Sequence, residues 1–300
     1  MVSHAHLLHR NEADPGSKER ARRRGFAWMT AALVLLASTA VRADYVVGLG
    51  VSGDSDSGLA EAAFASVGLT DKTSITGIVA HSSIDIPRRR GLDAWNVDLS
   101  LDHHFDPVGV EAGVAYWGDS DVLDSTDIRG SVYWRKDGFR IAANAVRREF
   151  TFVIPPSNFF DGRDVDFDAD GLGLSVNFDV TENVDVSLSG MDFDYSINLD
   201  LSDRLAFLQL ISASRLSLIN SLVDFRASGT IGVDVGDHRF ALDLATWRGE
   251  VDGVDTRSAT LRWLAPIGSQ ADIEFGLGYD DSELYGNTTV LSLTLFFYGN

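Results

Sequence analysis

The chain contains no cysteine. Neither a disulfide framework nor a thiolate metal site can therefore contribute to its fold. Long apolar runs are also scarce. One lies near the N-terminus, and after residue 43 no stretch is long enough to form a membrane-crossing helix. Basic residues are few: 25 Lys and Arg stand against 44 Asp and Glu, a net charge of −19. That balance excludes nucleic acid as a partner. It does not signal disorder, because aromatic residues make up 10% of the chain and the apolar pattern is regular. Hydrophobic residues reach 45% while the mean hydropathy is zero, so apolar and polar residues are finely mixed.

The single apolar run has a recognisable context. Arg22, Arg23 and Arg24 precede Ala31-Ala32-Leu33-Val34-Leu35-Leu36-Ala37, and Val41-Arg42-Ala43 follows with small residues at the positions an export peptidase reads. A basic flank, a short apolar core and a small-residue exit describe a secretory signal peptide over residues 1–43. A membrane-anchoring helix fits less well, since the run is short for a bilayer. Removing residues 1–43 takes away seven basic and three acidic residues. The 18 Lys and Arg that remain face 41 Asp and Glu, a net charge of −23.

From residue 44 onward the dominant period is two. Trp95, Val97, Leu99 and Leu101 alternate with Asn96, Asp98, Ser100 and Asp102, and Ile273, Phe275, Leu277 and Tyr279 alternate with Asp272, Glu274, Gly276 and Gly278. Such alternation predicts strands with one apolar and one polar face. The segments are 44–51, 59–70, 73–82, 92–105, 108–117, 127–135, 139–149, 171–180, 184–195, 223–235, 239–248, 257–265, 271–280 and 288–298. They amount to about fourteen strands, within a range of about twelve to sixteen. Short turns such as Asp71-Lys72, Asp106-Pro107 and Lys136-Asp137-Gly138 alternate with longer Asp/Gly/Ser-rich loops at 52–58, 83–91, 118–126, 150–170, 196–222, 249–256 and 281–287.

Short turns at one end and long loops at the other are the pattern of an all-β, antiparallel transmembrane barrel. An even strand count leaves both termini at the short-turn end. A soluble periplasmic sandwich or lipocalin-like barrel also alternates. Its core, however, would not accommodate so large and charged a polar set, which suits a watery lumen. Strands of about ten residues match the span of a tilted strand across a bilayer. Tyr45, Trp95, Phe105, Trp134 and Phe139 sit near strand ends, as interfacial girdles require.

The last strand carries a resemblance. Leu291, Leu293, Leu295 and Phe297 alternate toward an aromatic end. Over residues 44–300 the chain resembles bacterial outer-membrane β-barrels of the porin type, whose C-terminal strand is presented to the barrel assembly machinery. Those proteins usually end on the aromatic residue, whereas Tyr298-Gly299-Asn300 follow here. The resemblance implies a Gram-negative outer membrane, lipids and the assembly machinery as partners, and passage of small solutes. It implies no catalysis and no cofactor.

Several groups of residues could carry chemistry. By parity Arg129, Arg135, Arg140 and Arg148 face the lumen from two adjacent strands. Asp272 and Glu274 lie on a strand nearly opposite, so a transverse field across a pore is one expectation. Lumen-filling salt bridges in a plugged barrel are the other. Asp224, Arg226, Asp243 and Arg262 are lumenal by the same parity.

Leu201, Leu205, Leu208, Ile211, Ile219 and Leu222 recur at helical spacing, which predicts a short helix in the long loop before residue 223. Asp166-x-Asp168-x-Asp170-Gly171 opens like a calcium loop, but its twelfth position is Asn177, which cannot chelate as the loop requires. A weak external cation site shared with Asp54 and Asp56, or simply a solvated loop face, are the remaining readings. His81-x-Ser83 resembles the pair used by outer-membrane lipid hydrolases, with no third residue evident to orient the imidazole. His103 and His104, being adjacent, cannot present both rings on one face.

The favoured function is a channel for small hydrophilic solutes through a charged lumen. A closed barrel with a structural, adhesive or surface-binding role is the alternative, and a lipid-modifying hydrolase comes third.

Overall fold

The computed structural model describes residues 44–84, 92–119, 122–154, 163–196, 222–250, 253–284 and 286–299. The strands are β1 (Tyr45–Asp54), β2 (Gly58–Thr70), β3 (Thr73–Ile84), β4 (Leu92–His104), β5 (Val108–Asp119), β6 (Leu123–Lys136), β7 (Phe139–Ile154), β8 (Arg163–Thr181), β9 (Val184–Tyr195), β10 (Val223–Val235), β11 (His238–Gly249), β12 (Asp255–Pro266), β13 (Ala271–Ser282) and β14 (Gly286–Gly299). Each pairs antiparallel with its sequence neighbours. β1 pairs with β14, Val47 opposite Phe297 and Leu49 opposite Leu295, which closes the barrel and leaves no free edge.

The two ends differ in their connections. At the end that holds Tyr45 and Gly299 the turns are tight. Between β6 and β7 only Asp137 and Gly138 intervene, both at positive φ (49° and 75°), as a two-residue hairpin turn requires.

The alternation sorts residues cleanly by face. Leu49, Leu99, Ile128, Val132, Leu172, Leu174, Leu277 and Leu291 all point outward and are exposed, Leu172 to 72%. An apolar belt running round the whole barrel would be untenable in water, whereas hydrocarbon is its natural solvent. Phe105, Trp134, Phe139, Phe240, Trp263 and Phe297 are exposed near the short-turn end. Trp263 stacks on Phe275 with ring centroids 5.6 Å apart, as in an interfacial aromatic girdle.

The segments read from the sequence agree with the strands at every centre and fall short at the long-loop end. β6 begins at Leu123 rather than 127, β7 continues to Ile154 rather than 149, and β8 begins at Arg163 rather than 171. Much of what reads as loop 150–170 is therefore a continued hairpin, with Phe150 paired to Phe167 and Arg147 to Asp170. The strands extend above the apolar belt, where the outward face meets water and is charged. The helix expected over 201–223 lies outside the described residues up to 221. Leu222 and Val223 are described, and both are buried.

Candidate functional site in the barrel lumen

The inward face of the barrel is polar, and most of its arginines are held by acids on the same wall. Arg129 on β6 reaches over β5 to Asp98 on β4 and grips it with two guanidinium nitrogens, Nη2 standing 2.6 Å from Oδ1. The residue it crosses is Gly113; any side chain there would collide with the guanidinium. Tyr133 crosses Gly109 in the same way to donate to Asp102 (3.0 Å), and Arg239 crosses Gly232 to reach Asp185. Glycine in the middle strand thus lets a long side chain lie flat along the wall and meet a partner two strands away.

Several of the remaining expected lumen residues are partnered as well. Arg148 donates Nε to Asp127 (2.9 Å) and lies over the Phe193 ring at 4.8 Å. Arg140 lies over Tyr133 at 4.3 Å and is 3.9 Å from Glu111. Arg135 bonds His104 (3.0 Å). On the other side Arg262 takes both Asp243 (2.5 Å) and Glu274 (3.2 Å), while Asp272 accepts from the Tyr298 hydroxyl (2.9 Å). None of the four grouped arginines has Asp272 or Glu274 as a partner. Neighbours one or two strands away neutralise charge locally, which shortens the reach of any field across the lumen.

Recesses remain between these clamps. One of about 430 Å³ is bounded by Ser82, Asn96, Trp117, Asp127, Arg148 and Arg226 among others. Another, of about 370 Å³, is bounded by Arg226, Thr230, Asp243, Trp247, Ser258 and Asp280 among others.

At the long-loop end the inner wall changes character. Val122, Leu123, Phe150, Phe167, Ala169 and Leu222 form a buried apolar cluster, with Trp117, Phe152 and Tyr195 packed against it. Phe150 and Phe167 stack at 4.8 Å and an interplanar angle of 14°. Nothing in the sequence reading singled out this cluster. Phe150, Phe152 and Phe167 occupy positions assigned there to a loop.

The other candidate residues lie away from the lumen. Leu291, Leu293, Leu295 and Phe297 occupy the outward face of β14, in register with β1. Asp166, Asp168 and Asp170 lie on the extended strand β8, not on a loop. Arg147 bonds Asp168 (2.9 Å) and Asp170 (3.2 Å), and Thr151 bonds Asp166 (3.0 Å). An extended strand cannot wrap a cation. Asp54 and Asp56 serve their own hairpin: Asp54 accepts from the backbone of Asp56 and Gly58, and Asp56 accepts from Thr288. Among the described residues no three His, Asp or Glu side chains are grouped to hold a metal.

His81 faces outward, buried against Trp95 at 4.7 Å, and its Nε2 meets Asp93, a partner that lies on the adjacent strand β4. Ser83 shares that face, paired with Asp93 in the register. His103 accepts or donates at Nδ1 to Thr73 (2.8 Å), on the opposite face from His104.

No family model matches the chain, and no curated protein matches it. Solved structures do. The CymD monoaromatic hydrocarbon channel aligns with a TM-score of 0.54 at 7% identity, over 86% of this chain and 88% of that one. The KdgM porin aligns at 0.42 and 9%, over 85% and 99%. OpdK of Pseudomonas aeruginosa with vanillate aligns at 0.44 and 8%, over 86% and 98%. At these identities the likeness is one of fold. The chain shares with the CymD channel the architecture of a closed antiparallel β-barrel.

Proposed function

We propose that the chain, once residues 1–43 are removed, is an outer-membrane channel through which small hydrophilic solutes diffuse. The observation that carries this reading is the inner wall at membrane level. Arg129 and Arg239 are laid flat against the strands by glycine crossings, and serine and threonine hydroxyls border the recesses of hundreds of Å³ that remain. A wall built to fill its own interior would use long side chains projecting inward. The start of β1 at Tyr45, one residue after the expected cleavage site, supports removal of the leader. The outward face of β14 supports its role as the strand presented to the assembly machinery.

Single-channel recording in a planar bilayer tests the function directly. Stepwise conductance is expected, with cation preference in a salt gradient because carboxylates outnumber basic groups. Replacing Arg129, Arg135, Arg140 and Arg148 together with Gln is expected to raise that preference, since Asp98, Asp127 and Glu111 then lose their counter-charges. Correctly folded protein that never conducts would favour a closed barrel with a surface role.

A second reading rests on the His81–Asp93 contact beside Ser83, an arrangement that could activate a serine hydroxyl toward lipid esters at the outer leaflet. Release of fatty acid by purified protein, abolished in His81→Ala and Ser83→Ala, is the outcome that reading requires.

A further inference from the structure

The lumenal arginines are not equivalent. Arg129, Arg140, Arg148, Arg239 and Arg262 each have an acidic partner, and Arg135 has an imidazole. Arg226, on the inward face of β10, has neither an ion pair nor a hydrogen bond among the described residues, and its side chain is open to the lumen. It borders the recess on its own wall and also the one formed chiefly by β2 to β6 on the opposite side. Its guanidinium therefore projects into the bore instead of lying along the wall. Arg148, of the same sign but held by Asp127, borders the second recess too. A guanidinium without a counter-charge beside it creates a local positive potential that an anion relieves.

A second observation comes from the neighbouring strand. Trp247 faces Arg226 across the β10–β11 pairing and is only 8% exposed. Its indole N–H is buried without an acceptor among the described residues. A buried donor left unpaired is unfavourable and rare, and at a functional site it marks a place where an acceptor is missing. Ser228, Thr230 and Ser258 add hydroxyls to the same recess. Of its acids, Asp243 is already taken by Arg262 and Thr230, and Asp280 stands on β13, away from the arginine's own strand pair.

We infer that Arg226, with Trp247 beside it and Arg148 facing it, forms a binding point in the lumen for the carboxylate of a small hydroxylated anion. The guanidinium supplies a two-pronged, charge-assisted grip. The indole N–H gains its acceptor when the carboxylate draws in, and the serine and threonine hydroxyls meet the solute's own. One wet site of this kind binds weakly, as passage requires, because a solute must also leave. The inference rests on the channel reading for its purpose but not for its test.

Gluconate and its uncharged counterpart sorbitol are the probes, titrated by calorimetry into the barrel refolded in detergent at low salt. Gluconate is expected to bind and sorbitol not. Arg226→Gln should weaken gluconate at least about tenfold, the effect of losing a charge-assisted pair of hydrogen bonds. Trp247→Phe keeps the ring, removes only the N–H and should weaken it a few-fold. Arg257→Gln, on the outer face of β12, should leave it unchanged. Heat-modifiable electrophoretic mobility reports whether each variant folds, and Trp247→Phe preserves the test if Arg226→Gln does not. Absence of gluconate binding, equal binding of sorbitol, or unchanged affinity in a folded Arg226→Gln or Trp247→Phe overturns the inference. Conductance is scored separately: a silent parent that still binds gluconate removes the channel reading and leaves the site.

Discussion

Along β7 and β8 one alternation of side chains serves two opposite solvents. In the lower half of this hairpin Ile141, Leu172 and Leu174 point outward, while Arg140, Asn144 and Ser175 point inward. In the upper half Arg147, Glu149, Asp168 and Asp170 point outward, and Phe150, Phe167 and Ala169 point inward. The backbone pleat runs on unchanged. What reverses, near Val146 and Gly171, is the medium on the outside, from hydrocarbon to water. The inside reverses with it, from a wet lumen to a packed aromatic cluster. The lower half is therefore stabilised by lipid and the upper half by a core of its own, a division that mutations can separate.

The largest expected effect is in the upper half. Phe150 is 1% exposed, and Phe150→Ala should cost about 3–5 kcal/mol, as large-to-small changes in a packed core do. Chemical unfolding in lipid vesicles measures it; a loss below about 1 kcal/mol would mean the cluster is not a core. In the lower half Leu174→Arg should cost about 2–4 kcal/mol near the bilayer midplane. Thr151→Arg, on the same outer wall but above the belt, should stay within about 0.5 kcal/mol. Equal losses for these two would show that the boundary near Val146 is misplaced.

The lumenal clamp at membrane level comes next. Arg129→Ala should cost about 1–3 kcal/mol by stranding Asp98 on the inner wall. Gly113→Val should reproduce that loss without touching either charge, because the added side chain occupies the space the guanidinium crosses. Smaller again is the exposed pairing of Arg147 with Asp168 and Asp170. Arg147→Gln should cost at most about 1 kcal/mol, and the loss should fade in high salt.

The smallest effect concerns Glu250, in the turn after β11. Burial first, then the charges of Asp224 and Asp194, raise its pKa above the ordinary glutamate range. The folded barrel therefore disfavours the ionised form. That penalty is complete above the raised folded value and disappears as pH falls through it to the ordinary one. Glu250→Gln should accordingly stabilise slightly at neutral pH and be without effect near pH 4, as paired unfolding curves would reveal. A gain that persisted at low pH would assign the effect to something other than ionisation.

Much of the barrel was legible because a strand with lipid on one side and water on the other must alternate in hydropathy. All fourteen strand centres were visible on that basis, as were the outward placement of Leu99 and Leu291 and the lumenal placement of Arg129 and Arg226. The hairpin tops were missed for the same reason. Phe167 and Ala169 are odd-numbered, whereas Leu172 and Leu174 are even-numbered, so the apolar set changes parity within a continuous strand. A reader expecting apolar residues to stay on one face takes that change for the end of the strand. Glycines such as Gly113 likewise read as weak strand formers. Their purpose, to let Arg129 pass over them, involves three strands at once.

The strand centres, the order of short and long connections and the facing of each residue in the apolar belt were determined by the sequence alone; the count of fourteen was settled by the closed ring. These follow from local periodicity and from turn residues such as Asp137-Gly138. Among the described residues, the pairing of the other lumenal arginines, the solitary position of Arg226 and the unpaired N–H of Trp247 were decided only by the tertiary structure. Closure and stagger of the barrel set which residues of different strands stand at the same height, and no local pattern encodes that. Charge parity says a side chain enters the lumen; only the closed ring says whom it meets there.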